Sequence, residues 1–191
     1  MITSQYDILL ASASPRRREL LTMLGLNFTI ATGKDVDESY DESMPADEVA
    51  QYLSLKKAEA YRCDLADNQL LITADTVVIN DGKILGKPAN RQEAIAMIKS
   101  LSGHQHKVVT GVTISTTTRQ SSFSAETLVE FAQLTDQEIE HYVDTYKPMD
   151  KAGAYGIQEW IGCIGVKSIN GSFYNVMGLP LHRLYTELKE F

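Results

Sequence analysis

Residues 8–11, Ile-Leu-Leu-Ala, form a continuous apolar run that ends in small polar residues, the pattern of a short buried strand. From Pro15 the pattern becomes that of a helix reaching Met23 or Leu24. Ser14 suits its N-cap, Pro15 the first helical position and Gly25 the stop. A second strand is expected over residues 27–31. The stretch "GKDVDESYDESMPADE" is polar and acidic, and reads as a loop leading into a helix near Pro45 or Ala46. In that helix Ala46, Val49, Ala50, Leu53 and Ala60 recur on one face; Lys57 shares it and Lys56 lies nearer the margin.

Further on, "QLLITADTVVIND" is rich in β-branched and aliphatic residues, turns at residues 80–83 and resumes with Ile84 and Leu85, which predicts a hairpin. Asn90 with Glu93 resembles a capping box for a helix stopping at Gly103, and Thr135 with Glu138 does the same for a helix through Tyr146. Between them "HKVVTGVTIST" and "SSFSAETLVEFAQ" read as paired strands, the second alternating at Phe123, Ala125, Thr127, Val129 and Phe131. After the loop "KPMDKAGAYGIQE", "WIGCIGVKSI" and "SFYNVMG" are expected as strands joined by an Asn170-Gly171 hairpin turn, followed by a helix opened by Pro180. Alternating strands and helices with several tight turns imply one α/β domain with a mixed sheet.

Composition narrows the setting. The chain has 191 residues, 43% hydrophobic, enough for one compact domain with a substantial core and a cleft between two lobes. A net charge of -7 argues against a nucleic-acid or anionic-membrane partner, which needs a broad positive field. The opening "MITSQYD" has no basic region followed by a long apolar core, so a cytoplasmic protein is expected. Cys63 and Cys163 belong to no metal-ligand spacing and are expected as buried thiols.

Against that acidic background "SPRRREL" crowds three arginines onto the first turn of a helix. Cations oppose the dipole there, so Arg16 and Arg17 point to a bound polyanion, with a solvated face as the alternative. Arg18 is the one expected at the plain surface. Asp75 interrupts an apolar strand and needs a cation, a metal or several donors, unless it merely caps a strand end. Lys57 on an apolar stripe either snorkels to solvent or reaches a buried anion. Lys87 in "ILGKP" is a weaker cationic candidate at a strand end. In "KAGAYGIQ" the small residues allow close approach of a ligand and Gln158 could read a base edge; a glycine-rich turn without a ligand is equally compatible. His104 and His106 form a lone HxH and are read as structural. No phosphate-binding GxxxxGK[ST] or GxGxxG is present.

The ordered set "LASASPRRRELL", "DVDES", "KKAEA", "ADTVV", "LGKP", "SGHQHKVVTGV", "PMDKAGAYGIQ" and "INGSFYNVMGLPL" resembles the Maf family of nucleoside triphosphate pyrophosphatases over nearly the whole chain. The resemblance implies a fold related to that of inosine triphosphatases, and hydrolysis of the α–β phosphoanhydride with a divalent metal, Mg²⁺ or Mn²⁺. Arg16, Thr76 and Gln158 are similar to the branch acting on dTTP and UTP. Glu159 and Trp160 depart from the pattern, a glycine being frequent after the glutamine. By the same resemblance Ser12, Arg17, Lys57 and Lys87 hold the triphosphate. Glu38 and Asp75 organise metal and water, with Asp75 as general base or metal ligand, and a homodimer is expected. The alternatives are a nucleotide-binding regulator of septum formation and a pyrophosphatase for modified nucleotides.

Overall fold

The computed structural model describes residues 5–191, so the first four residues of the MITSQYD opening lie outside the described residues. The strands are β1 (Asp7–Ala11), β2 (Phe28–Ile30), β3 (Gln69–Asn80), β4 (Lys83–Leu85), β5 (Gln105–Ser115), β6 (Gln120–Phe131) and β7 (Val166–Asn170). They form one sheet in the order β2-β1-β3-β5-β6-β7, with β4 on β3. β1 runs parallel to β2 and β3, whereas β4 on β3 and β7 on β6 are antiparallel, giving the expected mixed sheet. The flanking helices are α1 (Pro15–Met23), α2 (Ala46–Arg62), α3 (Arg91–Leu101), α4 (Asp136–Tyr146), α5 (Trp160–Gly165), α6 (Phe173–Met177) and α7 (Leu181–Leu188), with a 3-10 turn at Ala152–Ala154. No helix among the described residues is long and apolar enough to cross a membrane.

The chain divides into two compact units. The first contains the chain up to Asp75, Thr110–Ala125 and Gly178–Phe191; the second contains Thr76–Val109 and Glu126–Met177. In the first unit, Ala11, Ala58 and Leu71 pack with Leu9, Ala31, Tyr61 and Leu65, seating α2 on the sheet. Gly111 permits this approach, because a Cβ there would come within 2.3 Å of the Ala50 and Gln51 backbone. In the second unit, α3 and α4 are tied by Arg91, which donates to both Asp144 oxygens at 2.6 and 2.8 Å. His106 is buried in the core of the same unit with Phe131 and Tyr155, its Nε2 2.7 Å from the Tyr155 hydroxyl.

Most helix ends follow the sequence signals. Ser14 caps α1, and Thr135 and Glu138 complete a reciprocal capping box on α4. Asn90 caps α3, but the Glu93 carboxylate accepts from Ala89 N–H instead of closing the box on Asn90. Asp81 and Gly82 both take positive φ, 48° and 73°, as a two-residue hairpin turn requires.

Several expectations are corrected, among them the strand expected at SFYNVMG, whose residues Phe173–Met177 form the helix α6. Residues 160–165 form a helix, not a strand: Ile161 and Gly165, four apart, are buried while Cys163 and Ile164 are exposed. Gly162 lies so close to the Ile157 carbonyl that a Cβ would meet its oxygen at 1.8 Å. Asn170-Gly171 makes no hairpin either. Gly171 alone takes a positive φ there, and the Ser172 hydroxyl accepts from Asn175 N–H at 3.3 Å, opening α6. Asn175 is then buried, donating to the Val108 carbonyl and to Thr127 Oγ1 at 3.1 and 3.0 Å. Finally, both cysteines are exposed: Cys63 is the C-cap of α2 and Cys163 lies on α5.

Candidate active site

The register between α2 and β3 brings the acidic and basic candidates of the first unit together. Thr73 Oγ1 donates to the Ser54 carbonyl at 2.7 Å, and the Ser54 hydroxyl lies 2.9 Å from Thr113 Oγ1. Lys57 is three residues beyond Ser54, on the same helix face, and Asp75 two beyond Thr73, on the same strand face. The anchored Ser54–Thr73 pair therefore sets Lys57 opposite Asp75. Lys57 Nζ donates to Asp75 Oδ1 at 2.8 Å and lies 2.8 Å from Glu38 Oε1. The Lys57 and Asp75 side chains are 15% and 16% exposed, against 53% for Glu38, so the inner pair is shielded and the outer carboxylate faces water. Lys57 reaches an anion, as one of its two sequence readings required. Asp75 faces a cation, one of the partners its place in an apolar strand allowed.

Arg17 stands beside this cluster. Its Nε donates to the Gly178 carbonyl at 2.8 Å and its Nη1 to the Ala74 carbonyl at 2.9 Å, with Ser12 Oγ at 3.5 Å from Nη1. Burial of the guanidinium lowers its pKa, Arg16 lowers it further, and Asp75 and Glu38 oppose both. Part of this fork thus joins β3 to the segment before α7, which sequence reasoning did not anticipate. Ser12 also accepts from Ser14 N–H at 3.2 Å, fixing the bend into α1. Arg16 is half-buried and Arg18 exposed, the latter as expected.

The remaining candidates lie in the second unit. Thr76 is half-buried on β3, and Lys87 and Gln158 are exposed. The loops that carry Lys87 and Gln158 are linked, since Gly153 N–H donates to the Gly86 carbonyl at 3.0 Å. Gly153 has a φ of 67°, and a Cβ there would lie 3.0 Å from Val78, both of which favour glycine. Lys151 and Glu159 were not singled out as a pair by the sequence. Lys151 is buried and pairs with Asp150 at 2.9 Å and with Glu159 at 3.2 Å.

The donor chemistry fits a hard divalent cation. Two carboxylates, Glu38 and Asp75, converge on one ammonium, and Mg²⁺ is commonly held by one or two carboxylates completed by phosphate oxygens and water. No group of three or more His, Cys, Asp or Glu residues suited to a metal occurs among the described residues.

A family model described as Maf-like protein matches residues 7–191. A dTTP/UTP pyrophosphatase of Bacteroides thetaiotaomicron is 56% identical over 186 residues, 97% of this chain and 96% of that protein. A protein of the same name from Parabacteroides distasonis is 56% identical over 187 residues, 98% of this chain and 97% of the relative. Among solved structures, a HAM1 protein from Coxiella burnetii is similar with a TM-score of 0.51 at 17% identity, covering 97% of this chain and all of that one, a likeness of fold.

Proposed function

Because this chain belongs to the Maf family, we propose that it is a nucleoside triphosphate pyrophosphatase that converts dTTP and UTP to their monophosphates and pyrophosphate. The observation that carries this reading is the Glu38–Lys57–Asp75 cluster, two carboxylates and an ammonium assembled from three separate segments beside Arg17. The names of relatives at 56% identity point to the same substrates.

In this reading Ser12, Arg16, Arg17, Lys57 and Lys87 hold the triphosphate, and Thr76 and Gln158 face the nucleoside. Glu38 and Asp75 hold a divalent cation, which when bound neutralises phosphate charge and withdraws electrons from the scissile anhydride. Lys57 exchanges a carboxylate partner for a phosphate oxygen as substrate arrives, so the charge that it balances in the free protein is replaced by one that grows in the transition state. Asp75 takes the proton of the water that attacks the α-phosphorus, and pyrophosphate leaves. The arginines of α1 are thereby matched to a polyanion regardless of the net charge of the chain. The whole chain acts as one Maf-like domain, and the family resemblance carries with it a homodimer in the cytoplasm. A panel of ordinary and modified nucleotides, assayed for pyrophosphate release with Mg²⁺ or Mn²⁺, tests this reading. Turnover centred on dTTP and UTP supports it; binding without release identifies a regulator, and preference for modified bases a cleansing enzyme.

A further inference from the structure

Gln158 occupies the third position of a turn from Gly156 to Glu159, closed by Glu159 N–H donating to the Gly156 carbonyl at 3.0 Å. A single phenol holds both ends of that turn. Gly156 N–H donates to Tyr142 Oη at 3.0 Å, and the Tyr142 hydroxyl donates to Glu159 Oε2. The other carboxylate oxygen, Glu159 Oε1, lies 3.2 Å from Lys151 Nζ. Tyr142 is fully buried and the Lys151 side chain is 8% exposed, while Gln158 at the tip is exposed. The Glu159 carboxyl also fills the space a side chain at Gly156 would need, since a Cβ there would meet Glu159 Cδ at 2.8 Å. Burial and the Glu159 carboxylate both raise the Tyr142 pKa, so the phenol remains a donor throughout the neutral range.

We propose that Tyr142, Glu159 and Lys151 are positioning residues that set base selectivity by locking the Gly156–Glu159 turn, and with it the Gln158 amide, without touching the nucleotide. This rests on the reading of Gln158 as the group that meets the base. An exposed amide on an untethered turn would sample many orientations, and a hydrogen bond from it to a base edge would lose the entropy of ordering that turn. The buried ion pair and phenol have ordered it already.

The test compares Tyr142→Phe, Glu159→Gln and Gln158→Ala with the unaltered full chain, measuring kcat and KM for dTTP, UTP and ATP together with inhibition by inorganic triphosphate. The expected result is a fall of about three- to tenfold in the dTTP-over-ATP ratio of kcat/KM for both clasp variants, carried mainly by KM, with kcat within about twofold. Inhibition by inorganic triphosphate, which has no base, should not change. Adding Tyr142→Phe to Gln158→Ala should lower the ratio no further, because the amide to be positioned is gone. Amide exchange at Gly156 should accelerate in Tyr142→Phe, which reports the freed turn without any nucleotide. If Tyr142→Phe fails to fold, Glu159→Gln, which preserves shape, provides the same ratio. Selectivity lost in Gln158→Ala but retained in both clasp variants overturns the proposal, as does a fall in kcat at an unchanged ratio. Selectivity unchanged in Gln158→Ala refutes instead the reading of Gln158 on which the proposal rests.

Discussion

Lys57→Met keeps much of the side-chain stem and removes the charge that Glu38 and Asp75 share. Its contact with Glu38, whose side chain is 53% exposed, contributes at most about 1 kcal/mol. Removing one member of a buried pair costs about 3–5 kcal/mol, but Asp75 is still 16% exposed and also lies in the field of Arg17. The expected loss is therefore about 2–3 kcal/mol, or a Tm lower by roughly 5–10 °C for a chain of this size. A lysine kept solely for substrate would hold or gain stability on this change; the two carboxylates reverse the sign. Thermal unfolding without nucleotide or divalent cation, on Lys57→Met, Asp75→Asn and the double variant, isolates the pair. The double variant should recover much of the loss, because no shielded carboxylate charge is then stranded, Glu38 facing water. A Lys57→Met protein as stable as the unaltered chain, with no coupling in the double variant, would refute the claim that this ion pair holds α2 to β3.

Three further outcomes are expected. Asp75→Asn should stay folded and lose at least about 100-fold in turnover, as removal of a general base does; near-normal turnover would exclude Asp75 from proton transfer. Burial holds His106 at about 4, below its ordinary value of ~6.5 in the unfolded chain, so the unfolded chain takes up the proton first as pH falls. Relative to His106→Gln, which cannot titrate, the protein should then lose roughly 3 kcal/mol of unfolding free energy between pH 6.5 and 4 and no more below, measured by denaturant titration. Gly111→Ala forces a Cβ to within 2.3 Å of the α2 backbone and should cost at least about 3 kcal/mol or prevent soluble expression, whereas a stable variant would contradict the close approach of α2 to β5.

Where local chemistry decides structure, the sequence was informative. The caps of α1 and α4, the Asp81-Gly82 turn and the alternation of β6 depend on residues within a few positions of each other, and all were legible. The C-terminal third was misread because short apolar runs rich in glycine carry no decisive period. "WIGCIG" becomes helical through Gly162 under the Ile157 carbonyl, and Asn175 is drawn into the core by Val108 and Thr127, all partners that the local sequence does not display. The same distinction runs through the site. A lysine on an apolar stripe and an aspartate in an apolar strand each announce a missing partner, but only the register set by Ser54 and Thr73 makes them partners of one another. The commitment of Arg17 to the carbonyls of Ala74 and Gly178, and the clasp of Glu159 by Tyr142 and Lys151, join segments whose spacing leaves no trace in the sequence pattern.

The central claim, attack of water on the α-phosphorus, is tested most directly by turnover of dTTP in ¹⁸O-labelled water with a divalent cation. The predicted result is pyrophosphate as co-product, with one labelled oxygen in the thymidine monophosphate and none in the pyrophosphate. Label in the pyrophosphate, or release of orthophosphate and thymidine diphosphate, would contradict it.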